Sequence, residues 1–217
     1  MVELPRGRRI EVYTFPQNSY KVKRSSERRC CGVDVAEAIR ERRTVRSFKG
    51  DDVSSEDLEA ILEAVRWAPS WANTQCWEVV VVRDADRKQL LAETLSGGNP
   101  AKDAMTRAPV VMAVCAKRGL AGFYRGEVST DKGDWYMFDT GLAVQNMCLR
   151  AHSLGLGSVI VGLFDAKRAE QILAVPHDRS LVVLVPIGHP EKTPRAPGRK
   201  EISGFVRYET YEGEPGK

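Results

Sequence analysis

Apolar residues recur along this chain at two spacings, and the change from one to the other marks its elements. Leu58, Ile61, Leu62 and Val65 fall on one helical face, a run that Ser54 can cap and Pro69 stops. Asp34 and Glu37 form a capping pair for an earlier helix running to about Arg43, with Val35 and Ile39 on its buried side. Trp77 to Val82 is rich in valine and reads as a strand. Pro109 to Ala116 has the continuous apolar, β-branched character of a strand covered on both faces. Between these two, Asp86 to Leu95 reads as a helix ending at Gly97-Gly98, followed by a loop with polar punctuation.

Lys117 to Gly133 is rich in glycine and charge and lacks periodicity, the composition of a cover over a site. A long helix is expected from about Asp134 to Leu154, with Gly155 as its left-handed terminator. Gly141 inside it costs about 1 kcal/mol relative to alanine, which points either to a tight helix crossing or to another backbone or flat ligand close by. Ser158 to Val161 and Leu181 to Ile187 supply two further strands, with Asp165 capping a short helix between them. The tail from Arg199 to Tyr211 alternates at Phe205, Val206, Arg207 and Tyr208 in the manner of an edge strand.

The chain has 217 residues, 42% of them hydrophobic, enough for one substantial core. Its net charge of +4 is unevenly spread. Residues 1 to 32 hold eight cations and three acids, leaving 25 cations against 26 acids elsewhere. The excess therefore belongs to a basic N-terminal arm, read as a solvated or partly disordered leader in which Ile10, Val12 and Phe15 hint at a short strand. The remainder, residues 33 to 217, offers no basic face for nucleic acid. No apolar run of about twenty residues and no signal-peptide core is present, so a cytoplasmic protein without membrane association is the simplest reading. Cys30 and Cys31 are adjacent while Cys76, Cys115 and Cys148 are scattered, and none of the three histidines has a carboxylate or cysteine at informative spacing. No metal site is expected.

Two stretches carry the chemistry: Arg42-Arg43-Thr44-Val45-Arg46 at a helix end, and Ala68-Pro69-Ser70-Trp71-Ala72-Asn73-Thr74-Gln75-Cys76-Trp77 between a helix and a strand. Neither pairs a nucleophile with a base, so no catalytic side chain is assigned and a borrowed reactive group is expected. Both stretches resemble the signatures of the FMN-dependent nitroreductase family. The glycine-rich Leu154 to Gly162 and the turn Pro186-Ile187-Gly188-His189-Pro190 resemble that family's later segments, so the similarity runs from about Val33 to Tyr211. Cys76 departs from it, standing where the family usually has proline.

The resemblance implies an α+β, three-layer fold, with a central, mostly antiparallel sheet flanked by helices and a C-terminal arm exchanged in a homodimer. It also implies a division of labour around FMN. Arg42 and Thr44 would address its phosphate and ribityl hydroxyls, Arg43 would stand with them among the cofactor-binding residues, and Arg46 would reach the pyrimidine end, where a fixed cation favours electron uptake. The arginines would serve equally well to compensate a helix C-terminal dipole. Pro69, Ser70 and Asn73 match positions that contact the flavin from the second subunit, with Trp71 either an aromatic wall or packing. Asn99 and Lys102 resemble ring-edge ligands, although an ordinary polar turn would look the same. Ile160, Val161 and Gly162 match the segment along the flavin face, and Arg199 matches a late phosphate-binding residue that Lys200 could assist.

The expected activity is ping-pong transfer of electrons from NADH or NADPH, through FMN, to a small acceptor such as a nitroaromatic or quinone. Absence of a Gly-x-Gly-x-x-Gly fingerprint agrees with a nicotinamide that stacks on FMN rather than occupying its own site. Reductive dehalogenation, flavin-destroying benzimidazole synthesis, a deazaflavin-linked dehydrogenase and a flavin-binding redox sensor remain open on the same scaffold.

Overall fold

The computed structural model describes residues 33–213; the basic arm at residues 1–32 lies outside them. The chain begins with α1 (Val35–Glu41) and α2 (Ser55–Arg66), followed by strand β1 (Trp77–Val82). Helices α3 (Ala85–Ala92) and α4 (Lys102–Arg107) lead to β2 (Val110–Lys117) and a small hairpin of β3 (Phe123–Tyr124) and β4 (Glu127–Val128). The long α5 (Tyr136–Ser153), short β5 (Gly157–Ser158), α6 (Ala166–Ile172) and β6 (Arg179–Gly188) complete the body.

The main sheet runs β1-β2-β6-β5 with every neighbouring pair antiparallel. β2 sits inside it and its first seven residues are all buried, which its unbroken apolar sequence requires. Because side chains alternate across a strand, β2 supplies two cores. Val110, Met112 and Val114 pack with Ile61 and Val65 of α2 and with Ala143, Met147 and Ala151 of α5. Val111, Ala113 and Cys115 pack with Leu91, Ala104, Met105 and Ala169 of α3, α4 and α6. Helices on both faces of one antiparallel sheet make the expected three-layer α+β arrangement.

Several boundaries follow from caps. Ser54 accepts the Asp57 N–H at 3.0 Å, Asp84 accepts that of Arg87 at 2.8 Å and Asp165 that of Arg168 at 3.1 Å. Gly155 ends α5 at φ 77°, a conformation glycine adopts without steric cost.

Other expectations need correction. α1 stops at Glu41, not Arg43; Asp34 makes no side-chain cap bond, and Val35 and Ile39 are 69% and 58% exposed while Ala38 is the buried residue. The stretch read as a loop before β2 contains α4. Ser158 to Val161 is not a continuous strand: β5 ends at Ser158, after which the Val159 N–H reaches the Pro186 carbonyl at 3.3 Å and Val161 forms one bridge to Leu184. The tail is not an edge strand; Ile202–Gly204 is a 3-10 turn, and Phe205, Tyr208 and Tyr211 stand exposed. Gly141 meets no atom within 4 Å of where its Cβ would be, so nothing within the described chain crosses closely there.

Candidate functional site

The segment after α1 is extended and tied to the sheet. The Val45 N–H bonds to the Ser158 carbonyl at 2.9 Å, and Thr44 forms a parallel bridge with Ser158. Phe48 then bridges Pro190. Val45 and Phe48 are buried and anchor the segment, while Thr44 is half-buried and Arg46 exposed. Gly157 is dictated by this contact, since a Cβ there would lie 2.7 Å from Val45 side-chain atoms.

The result is a cleft of about 260 Å³ lined by Arg42, Arg43, Thr44 and Arg46, together with Arg195 and Arg199 from the tail and Pro194 and Pro197. No carboxylate lines it among the described residues. Arg42, Arg46, Arg195 and Arg199 have no ion-pair partner among the described residues, so the cleft keeps its positive field for an anion. Arg43 differs: its guanidinium donates to the carbonyls of Arg40 and of Arg42, the latter at 3.0 Å, and reaches Glu41 at 3.4 Å. It caps the C-terminus of α1, the structural alternative weighed for this cluster. On the other side, a smaller hollow of about 160 Å³ holds His152 and Ser158. Burial, followed by the charges of Arg42 and Arg43, pulls the His152 pKa down.

The second signature forms a turn held from three directions. Ala72, Asn73 and Gln75 all have left-handed φ, at 43°, 56° and 47°, a conformation costing roughly 1–2 kcal/mol for a residue with a Cβ. Ser70 Oγ accepts the Gln75 N–H at 2.9 Å, and the Gln75 amide donates to Asn73 Oδ1 at 3.1 Å. From α5, Asp139 Oδ2 accepts the Trp71 N–H at 3.0 Å and lies 3.8 Å from Cys76 Sγ. Asp139 is 1% exposed. Burial raises its pKa, partly offset by the Trp71 and Cys76 hydrogen bonds, and burial with the nearby Asp139 charge pushes the Cys76 thiol up to about 12. Cys76 is thus an inert, buried thiol.

Pro69, Ser70 and Trp71 form one wall of a second cleft of about 400 Å³, completed by Trp135, Phe138, Asp139 and Leu142. Its lining residues are not shared with the basic cleft. The remaining expected ligands stand apart from both. Asn99 spends its side chain internally, donating to the Leu163 carbonyl at 3.2 Å and accepting the Ala101 N–H at 2.9 Å, and Lys102 opens α4. Ile160 and Gly162 are exposed, whereas the Val161 side chain belongs to the core.

Sequence reading missed Arg195, Trp135, Phe138, Asp139 and Leu142. Asp139 had a legible signal, being the one charged residue in the run from Trp135 to Leu149. Arg195 sits in a proline-rich tail with no periodicity.

A three-layer α+β body with a basic cleft beside its sheet and a strained, amide-bearing turn, in a sequence without a glycine-rich nucleotide-binding fingerprint, defines the class of scaffold. The Nitroreductase family model matches residues 39–189, and the chain belongs to the nitroreductase family. It is 32% identical to the NAD(P)H-dependent FMN reductase of Bacillus subtilis, over 76% of this chain and 70% of that one. An FMN-dependent nitroreductase of Clostridium difficile R20291 superposes with a TM-score of 0.67 at 24% identity, covering 80% of this chain and 98% of the other. A nitroreductase family protein of Streptococcus pneumoniae TIGR4 gives 0.70 at 21% identity, covering 80% and 99%.

Proposed function

We propose that this chain is an FMN-dependent oxidoreductase that takes electrons from NADH or NADPH and delivers them, in a ping-pong cycle, to a small acceptor such as a nitroaromatic or quinone. The observation that carries this reading is the basic cleft, where Arg42, Thr44 and Arg46 meet Arg199, more than 150 residues later in the sequence. Four guanidinium groups without an ion-pair partner among the described residues, with a hydroxyl beside them, fit a dianionic phosphate with neighbouring hydroxyls. When bound, FMN supplies the hydride-accepting and hydride-donating ring.

The chain's own residues bind and orient. Arg42 and Arg199 neutralise the phosphate, Thr44 bonds the polyol, and Arg46 holds positive charge at the ring's polar end. The Pro69–Gln75 turn offers amides and short side chains to the ring face of a second subunit. Support for a homodimer comes from apolar surface left open by one chain: Val35, Ile39 and Trp67 on the α1–α2 side, and Phe205, Tyr208 and Tyr211 on the tail. Separation of the basic and loop clefts agrees with a site assembled from two chains.

Reconstitution tests the proposal. Purified protein mixed with excess FMN and desalted should retain about one flavin per chain and oxidise NADH or NADPH when an acceptor is added. Stopped-flow reduction with each nucleotide then identifies the donor. Protein that keeps no flavin and oxidises neither nucleotide defeats the reading.

A further inference from the structure

We propose that Asp139 sets the electron affinity of the flavin that meets its turn: the buried carboxylate opposes the negative charge that reduction leaves on the ring, and so lowers the reduction potential. This rests on the function proposed above, in which the Pro69–Gln75 turn meets the ring face of a second subunit.

The carboxylate is held in the wall of the flavin's own cleft. Asp139 is 1% exposed, yet it lines the space between the turn and the start of α5. Both hydrogen bonds that it accepts, from the Trp71 N–H at 3.0 Å and from Cys76 Sγ at 3.8 Å, fall on Oδ2. Oδ1 accepts no bond from the described residues and is not among their fully occluded unpartnered atoms. Beside it stand Trp71 and Trp135, with ring centroids 5.3 Å apart, and Pro69, Phe138 and Leu142, a surface of low polarity across which a charge is weakly screened. No lysine, arginine or histidine among the described residues lines the cleft to cancel it. Asp134, the other acid at the start of α5, spends its carboxylate on the Gly119 N–H at 2.7 Å and the Tyr136 N–H at 3.2 Å and lies outside the lining.

A hydride from the nicotinamide carries two electrons and one proton to the neutral oxidised ring, which becomes a monoanion while the donor leaves as the oxidised nicotinamide. A unit charge across about 12 Å of protein, at an effective dielectric of about 20, changes such an equilibrium by about tenfold. Asp139 therefore disfavours the reduced ring and leaves the oxidised one almost untouched. Arg46, assigned to the ring's polar end, acts in the opposite sense.

The test is the ratio of the full chain's dissociation constants for oxidised and for chemically reduced FMN at pH 8, because that ratio is the shift the protein imposes on flavin reduction. Asp139→Asn, which keeps an oxygen for the Trp71 N–H, should move the ratio about tenfold toward the reduced form. Dye equilibration of the loaded variant should show the matching rise of about 30 mV in the two-electron midpoint. A turn that had merely loosened would weaken both forms alike and leave the ratio where it was. An unchanged ratio in Asp139→Asn, or an equal shift in Asp134→Asn, overturns the assignment while the FMN reading stands. A native chain that binds neither form overturns both.

Discussion

Asp139 holds the strained turn and is itself held at a cost. Because its pKa is raised in the folded protein, the native state binds more protons than the unfolded chain in the pH window just above 3.8. Stability contributed by this group is therefore greatest at low pH and is lost as pH rises through the folded pKa. Asp139→Asn keeps an oxygen for the Trp71 N–H and removes the buried charge. Denaturant titrations should show the variant more stable than the native protein at pH 7, with the difference closing below about pH 4. Gly157 is the opposite kind of position, with no room for even a methyl group. Gly157→Ala should cost about 1–3 kcal/mol in the same titrations, and Val45→Ala in that background should recover part of the loss, since Val45 is the atom set it strikes.

At the scale of elements, the parts written in local chemistry were legible. β1 was read with its observed ends because Trp77 to Val82 is bounded by a turn and a charged pair, Arg83-Asp84. α2 was legible from its cap and period, and Ser54→Ala should lower stability by about 1 kcal/mol, as thermal unfolding will show. α1 misled because its apolar positions, Val35 and Ile39, face outward in one chain; periodicity reports an apolar face without saying which molecule covers it. α4 has six residues, too few for a period to emerge. In the site, the first signature was legible as a cation cluster, but separating Arg43 from its neighbours needed the carbonyls at the end of α1. Asn99 looked like a ligand in sequence and is a loop brace in space, because polar turns and ring-edge sites use the same amide. The aromatic cleft was invisible because Trp71 and Trp135 are 64 positions apart in sequence.

For the whole molecule, seating FMN in the basic cleft as proposed would link cofactor binding to folding. Arg199 and Arg195 come from a tail that is exposed along its length from Glu191 to Phe205 and makes few bonds to the body, while Arg42 ends α1 and Arg46 follows in an extended segment bridged to the sheet at Thr44. An anion shared between them ties the tail down. A ligand that binds only the folded state stabilises it by about 2.7 kcal/mol at a hundred times its dissociation constant, so FMN above that constant should raise the unfolding temperature with the logarithm of its concentration. Removing one charged phosphate contact costs about 1.5–3 kcal/mol. Arg199→Ala should therefore weaken FMN binding by roughly 10- to 150-fold and suppress the FMN-dependent rise at fixed concentration, with little effect on the flavin-free unfolding temperature, since among the described residues its side chain bonds only the adjacent Gly198 carbonyl. Arg43→Ala should do the reverse, because its guanidinium closes the end of α1: the flavin-free protein loses stability, and the increment that FMN adds is largely kept. Fluorimetric melting of both variants across an FMN series distinguishes a cation that serves the cofactor from one that serves the helix.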